Sequence, residues 1–293
     1  MKLGIGTAQL GMRYGITNKS SKLKFIDFKK IILLSVKNKI YTIDTANNYG
    51  DSEIKIGKAI LKTKYKDKFK IVSKIGNIRK VKISNIYKHI LDSISLSISV
   101  MGVKNLEGIL IHDIKDLESN KADEIFYSLI RIKNMGLIKK IGFSAYKIFD
   151  VIKYIKKYKF DFIQFPLNIF DQRILAKNIQ KKLKKNKVEL HIRSIFLQGL
   201  LLLPKNKLPM KFKNKNILKN WHKFLDDNNL DPLTACINFI KKNNIYSRVI
   251  IGFNSYNQFN EVLKKFTIKK RINLNFEKLA TKNSSIINPS KWN

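Results

Sequence analysis

The chain has 293 residues and carries 59 lysines and arginines against 21 aspartates and glutamates, a formal net charge of +38. A charge of that size points first to nucleic acid, an anionic membrane or an acidic ligand. Lysine outnumbers arginine roughly sevenfold, however, and Lys, Ile and Asn recur wherever some polar or some apolar residue suffices, as an A/T-rich codon bias produces. With arginine this scarce, no specific nucleic-acid partner is expected; the competing reading, a functional basic surface, requires lysines clustered on one face.

Apolar runs of four to eight residues alternate with longer segments of helical period. In chain order the pattern predicts a strand at 3–7, a helix at 25–36, a strand at 42–45, a helix at 52–61 and a strand at 70–74. A helix at 86–100, a strand at 106–112, a helix at 122–135, a strand at 140–144 and a helix at 149–158 follow. Strands at 162–165 and 189–194, a helix at 233–242 and a strand at 249–253 complete the series. Eight strands separated by helical segments predict a single closed (β/α)8 TIM barrel, one domain over 1–293, in preference to an open doubly wound sheet. The Lys/Asn/Pro-rich stretch 203–219 reads as a mobile loop over the barrel mouth.

No apolar run reaches the roughly 18–20 residues of a membrane span, and the N-terminus enters a strand without signal-peptide organisation. Cys236, the single cysteine, lies in an apolar helical stretch, so no disulfide framework exists within the chain. A cytoplasmic location without membrane association is expected.

Barrel logic places catalytic groups at the C-terminal ends of the strands and in the loops that follow. Asp44 closes the second strand, Tyr49 stands five residues later, and Lys74 and His112 fall near the ends of the third and fourth strands. Taken singly, Asp44 reads better as a helix cap, Tyr49 as a core aromatic, Lys74 as a surface residue and His112 as a satisfied strand-end histidine. Three adjacent strands bring all four together, which makes chemistry the better explanation of the set. His89, His191 and His222 have no such company, and His191, in mid-strand, reads as structural.

The segment Asp44-Thr45-Ala46, Tyr49-Gly50 and Ser52-Glu53, with Val72-Ser73-Lys74 and Leu110-Ile111-His112-Asp113, resembles the strand signatures of the aldo-keto reductase superfamily. The similarity extends from Gly4-Ile5-Gly6-Thr7-Ala8-Gln9-Leu10-Gly11 to Ile251-Gly252-Phe253-Asn254-Ser255. The resemblance implies an NAD(P)H-dependent oxidoreductase reducing an aldehyde or ketone to an alcohol. Tyr49 is then the general acid, Lys74 the cation that lowers its pKa, Asp44 the partner of Lys74, and His112 a hydrogen-bond donor to the carbonyl oxygen.

The same resemblance implies cofactor contacts. Ser144 and Gln164 match positions at the nicotinamide carboxamide, although Ala145 replaces a common asparagine. Arg193 stands where many relatives have an aromatic ring that stacks on the nicotinamide, and Ser194 and Phe196 match positions near the pyrophosphate. Gly252, Asn254, Ser255, Gln258 and Glu261 match the adenosine-phosphate pattern, a simple helix cap being the alternative. The expected cofactor is NADPH by family habit, with NADH also open because Asn254 takes the place of a cation; no metal is implied. A small carbonyl compound is the expected substrate. The short loop 113–121 and the positive charge around the site favour a polar, sugar-like one. A monomer is the default expectation. A nucleotide-binding sensor with little turnover is the alternative that the departures at Ala145, Arg193 and Asn254 support.

Overall fold

Strand segments of this chain are short, apolar and rich in isoleucine, a composition that suits strands covered on both faces. In the computed structural model, which describes residues 2–18, 22–268 and 272–292, they form β1 (Leu3–Gly6), β2 (Thr42–Asp44), β3 (Lys70–Ile75) and β4 (Gly108–Ile111). The series continues with β5 (Ile141–Ser144), β6 (Phe162–Pro166), β7 (Glu189–Arg193) and β8 (Arg248–Gly252). All are parallel and close in sequence order, with Gly6 of β1 opposite Gly252 of β8. Met1 and Asn293, the bounds of the expected domain, lie outside the described residues.

Helices cover the outside: α1 (Phe25–Lys37), α2 (Ser52–Ile60), α3 (Ile86–Met101), α4 (Ala122–Asn134), α5 (Ile148–Lys157), α6 (Lys177–Lys185), α7 (Asn216–Asp227), α8 (Pro232–Lys242) and α9 (Tyr256–Thr267). Each buries one apolar stripe. In α4, Ile125, Leu129 and Ile132 recur at helical spacing and are all buried, each contributing about 1.5–3 kcal/mol by leaving water. In α6 only Ile179 and Leu183, one turn apart, are buried, and its lysines face outward.

Inside the barrel, Val72, Leu110 and Phe162 form a small cluster separate from the main core between strands and helices. Glycines make room for it: a Cβ on Gly142 would lie 2.2 Å from the Phe162 carbonyl oxygen, and one on Gly108 2.9 Å from the Phe162 ring. His191 closes the floor, its ring 4.8 Å from that of Phe162. His191 and then Lys140 hold the Glu189 carboxyl down at about 2, against the opposing effect of burial. The structural reading of His191 fits this position.

Two sequence-based expectations are corrected. The β4 ladder is confined to Gly108–Ile111, and Leu106 makes only a lone parallel bridge to Ile138. The stretch 203–219 is mostly helical, with a 3-10 turn at Lys205–Lys207, a helical turn at Met210–Lys213 and the start of α7. Its many lysines and asparagines mask two buried anchors, Phe212 and Leu218, and just beyond it in α7 buried Trp221 donates its indole N–H to the Leu201 carbonyl oxygen at 3.1 Å.

Candidate active site

The parallel closed sheet brings all strand C-termini to one rim. The register sets Asp44 beside Val72 and Lys74 beside Leu110, so the ends of β2, β3 and β4 converge there. Lys74 and Asp44 are 2% and 4% exposed, and neither charge would survive such burial alone. The Lys74 ammonium donates to Asp44 Oδ1 and, at 2.8 Å, to the Thr45 carbonyl oxygen. Asp44 Oδ2 accepts from Gln164 Nε2 at 2.7 Å. The Lys74 ammonium lies 5.2 Å from the centre of the Tyr49 ring, and Tyr49 meets His112 edge-to-face with ring centres 5.8 Å apart.

The loop carrying Tyr49 is held from beneath. Gly50 adopts φ +55°, and a Cβ there would lie 2.5 Å from the Gly11 carbonyl oxygen, so the loop packs directly on the backbone after β1. The Ser52 hydroxyl bonds to Thr7 Oγ1 at 2.9 Å, and buried Glu53 accepts from Ser73 and Ser97 at 2.6 and 2.9 Å. Ser52 and Glu53 thereby clamp α2 to β1, β3 and α3 and frame the site without lining it.

Burial depresses the Lys74 ammonium and the Asp44 charge opposes that shift. Burial, then the charges of Lys74 and Arg193, push His112 down to about 4, which leaves a neutral imidazole at neutral pH. Burial and then the Asp44 carboxylate push the Tyr49 phenol up, while Arg193 pulls it down. The net shift of the phenol is upward, and Arg193 is a cation that opposes it.

Two clefts meet at this wall. The first, about 640 Å³, passes Gln164, Arg193, Ser194 and Phe196 at the ends of β6 and β7 and reaches Gly252, Asn254, Gln258 and Glu261 after β8. Its lining fits an elongated polar ligand. Asn254 Oδ1 is buried there without a partner, and a Cβ on Gly252 would fall 2.2 Å from the amide oxygen of Gln9, another lining residue. Ser255 does not line the cleft; its hydroxyl caps α9 by accepting from the Gln258 N–H at 3.3 Å. Gln258 in turn accepts from the Asn254 N–H at 2.9 Å.

The second cleft, about 680 Å³, holds Tyr49, Lys74, His112, Ser144, Gln164 and Arg193. Ser144 therefore borders this cleft and not the first. Arg193 lies 4.1 Å over the Tyr146 ring and donates to the hydroxyls of Ser194 and Ser144 at 3.3 and 3.4 Å. Further walls that the sequence reading did not assign are Arg13, Tyr14, Tyr146 and Lys211. The first two could have been found, because the barrel order alone puts the loop after β1 at the mouth. Trp292 settles on the mouth side, its ring 4.9 Å from that of Phe212, with Lys211 donating to its carbonyl oxygen.

A strained turn joins the clefts. Ser194, Leu197, Gln198 and Gly199 have φ of 59°, 48°, 53° and 87°. The loop after β1 latches onto it: the Ile16 N–H donates to Gln198 Oε1 at 3.0 Å and the Thr17 hydroxyl to the Gln198 carbonyl oxygen at 2.9 Å. Among the described residues no group of three or more His, Cys, Asp or Glu is placed to hold a metal ion, and no helix is long and apolar enough to cross a membrane.

The profile of the aldo/keto reductase family matches residues 2–275, and the chain belongs to that family. An aldo-keto reductase of Bacillus halodurans in its holo form superposes with a TM-score of 0.75 at 18% identity, covering 99% of this chain and 95% of that one. The glycerol dehydrogenase of Gluconobacter oxydans gives a TM-score of 0.69 at 19% identity, over 94% and 89% of the two chains. Both likenesses concern the fold. In sequence, the D-arabinose 1-dehydrogenase of Saccharomyces cerevisiae is 27% identical over 159 residues, 53% of this chain and 46% of that protein. The matched stretch thus spans about half the length of that relative.

Proposed function

We propose that this aldo/keto reductase reduces an aldehyde or ketone of a sugar-like compound to the alcohol, with a nicotinamide cofactor in the first cleft and the carbonyl in the second. The observation that carries the reading is the meeting of the Asp44–Lys74 pair, the Tyr49 phenol and a neutral His112 at the junction of two clefts. When bound, the cofactor supplies the hydride. Every other demand of the reaction falls on the chain's own residues.

Reduction leaves negative charge on the former carbonyl oxygen, which needs hydrogen-bond donors and then a proton. His112, neutral, offers a ring N–H to that oxygen and orients it. Tyr49, whose phenol is pushed up by burial and by Asp44, stays protonated at neutral pH and is a loaded acid. An alkoxide is far more basic than even this phenol, so the proton moves downhill from Tyr49. Lys74 and Asp44 hold the ring wall by their mutual pairing, and Gln164 ties the carboxylate to β6. Toward the cofactor, Gln164, Arg193, Ser194, Phe196, Gly252, Asn254, Gln258 and Glu261 are the chain's candidate contacts, Ser144 reaching the same region through Arg193 and Ser255 acting through its cap.

The names of the arabinose and glycerol dehydrogenases support a polyhydroxylated substrate, and so do the hydroxyls and amide of Asn48, Ser144, Tyr14 and Tyr146 around the second cleft. The loop 113–121 is short and tied back, with Arg79 bonded to Asp113 at 2.7 Å, which leaves the mouth open. NADPH is the family's habitual cofactor. Among the described residues the adenosine end presents Asn254, Gln258 and Glu261 and no lysine or arginine, which supports weak discrimination between NADPH and NADH.

The test follows NADPH and NADH absorbance with neutral aldoses, keto-sugars and simple aldehydes, for the wild type and Tyr49→Phe. Loss of about 10²–10⁴ in kcat with cofactor affinity kept supports the reading. Undiminished turnover in the variant sinks the assignment of Tyr49, and tight cofactor binding without turnover of any carbonyl turns the reading toward a nucleotide-binding sensor.

A further inference from the structure

The second cleft is unevenly charged. Among the described residues, Arg13, Lys74, Arg193 and Lys211 line it, and no aspartate or glutamate does. Lys74 is neutralised by Asp44 from behind. The other three bond to neutral acceptors: Arg13 Nε to the Asn18 carbonyl oxygen at 3.4 Å, Lys211 to that of Trp292, and Arg193 to two hydroxyls and the Ala145 carbonyl oxygen at 3.3–3.4 Å. Bonds from a guanidinium to a true counter-ion are shorter, about 2.7–2.9 Å.

Arg193 is the informative member. Lysine-rich composition explains cations on solvated faces, but arginine is scarce in this chain and Arg193 points into the barrel mouth. Arg193 is half-buried with no carboxylate partner among the described residues, and the Tyr146 ring 4.1 Å away offsets part of the cost of that burial. Its planar fork, held on one face by that ring and flanked by Ser144 and Ser194, keeps donor capacity toward the cleft.

We propose that the carbonyl substrate carries an anionic group, a phosphate, diphosphate or carboxylate, which Arg193 binds at the inner end of the cleft while Arg13 and Lys211 attract it at the rim. This rests on the reductase reading given above. Arg193 also borders the first cleft, so a cofactor phosphate is the rival occupant.

The experiment compares kcat/KM for matched pairs in the cofactor-loaded protein: glyceraldehyde with glyceraldehyde 3-phosphate, butanone with 2-oxobutanoate, and a free 4-keto-hexose with its nucleoside-diphosphate conjugate. The expected result is a preference for the charged member of at least one pair of roughly ten- to hundredfold, the worth of a charged hydrogen bond. That preference declines with ionic strength, disappears in Arg193→Gln and persists in part in Arg193→Lys; as a ratio within one pair, it is unaffected by any change in cofactor affinity or proton donation common to both members. The pair that shows it identifies the anion as phosphate, carboxylate or diphosphate. Equal use of both members of every pair by the wild type overturns the proposal with the reductase reading intact. So does a preference that survives in Arg193→Gln alongside a weakened cofactor Kd. If no carbonyl is turned over, the reductase reading fails, and titration of the cofactor-loaded protein with pyrophosphate and oxalate decides the anion seat. Binding lost in Arg193→Gln supports it, and equal binding by wild type and variant overturns it.

Discussion

Gln164 on β6 donates its side-chain amide across the barrel to Asp44 on β2 at 2.7 Å, so both carboxylate oxygens are taken, one by an amide and one by Lys74. Because a carboxylate only accepts, the bond also fixes which end of the Gln164 amide faces it. Gln164→Glu sets two carboxylates against each other. The variant is expected to lose about 1–3 kcal/mol at pH 7 in urea unfolding. Part of the loss returns as the pH falls and one of the two carboxyls takes a proton and becomes a donor. A deficit that does not depend on pH would contradict the pairing.

His112 yields a second expectation. Its pKa is held down from the ordinary 6.5 to about 4, by burial first and by Lys74 and Arg193 next. Between those values the unfolded chain binds more protons than the folded one, so stability rises with pH across that window and declines as pH falls through it. Urea unfolding of the wild type and His112→Gln at pH 7.0 and 4.5 isolates the effect: the stability difference between wild type and variant shrinks at the lower pH. A difference that stays constant means that the folded-state imidazole titrates normally.

The adenosine end of the first cleft supplies a third. With Asn254 and Glu261 there and no lysine or arginine among the described residues at that end of the lining, the Kd values for NADPH and NADH are expected to agree within about tenfold. Asn254→Arg adds a partner for the 2′-phosphate and shifts the ratio toward NADPH by roughly tenfold or more, leaving the NADH Kd near its starting value. Intrinsic fluorescence titration reads both. A strong native preference for NADPH would mean that a cation outside the lining reaches the phosphate.

The latch between the loop after β1 and the turn after β7 supplies a fourth. Gly199 has φ +87°, and a Cβ there would lie 2.2 Å from the Thr17 hydroxyl. Gly199→Ala is expected to cost about 1–3 kcal/mol and to speed cofactor release, because the strained turn and its hold on Ile16 and Thr17 loosen together. Stopped-flow release of NADPH measures the second effect. An unchanged release rate in a destabilised variant would separate the latch from the cofactor.

The barrel was legible in the chain because eight apolar runs alternate with helical periods, and strand ends are where barrels keep their chemistry. Asp44, Tyr49, Lys74 and His112 followed from that order and meet in space. The influence of Arg193 on Tyr49 was not legible, because it depends on distance and burial, which spacing does not carry. The helices within 203–219 were hidden by composition, since a few buried aromatics and leucines outweigh many solvated lysines in deciding whether a segment folds. Tyr146 carries no signal in the sequence, because a loop tyrosine resembles any other until the fold brings it to a guanidinium.

The two ends of the described chain lie at opposite poles of the barrel. Leu3 opens β1 at the floor, beside Val249, whereas Trp292 packs on Phe212 and walls the substrate cleft with its carbonyl held by Lys211. An affinity handle or fluorescent fusion attached behind residue 292 would therefore stand at the doorway of the reaction, and one attached ahead of β1 would hang from the closed end. Immobilising the protein through its first strand presents the open mouth to solution, the orientation a surface-coupled binding assay requires.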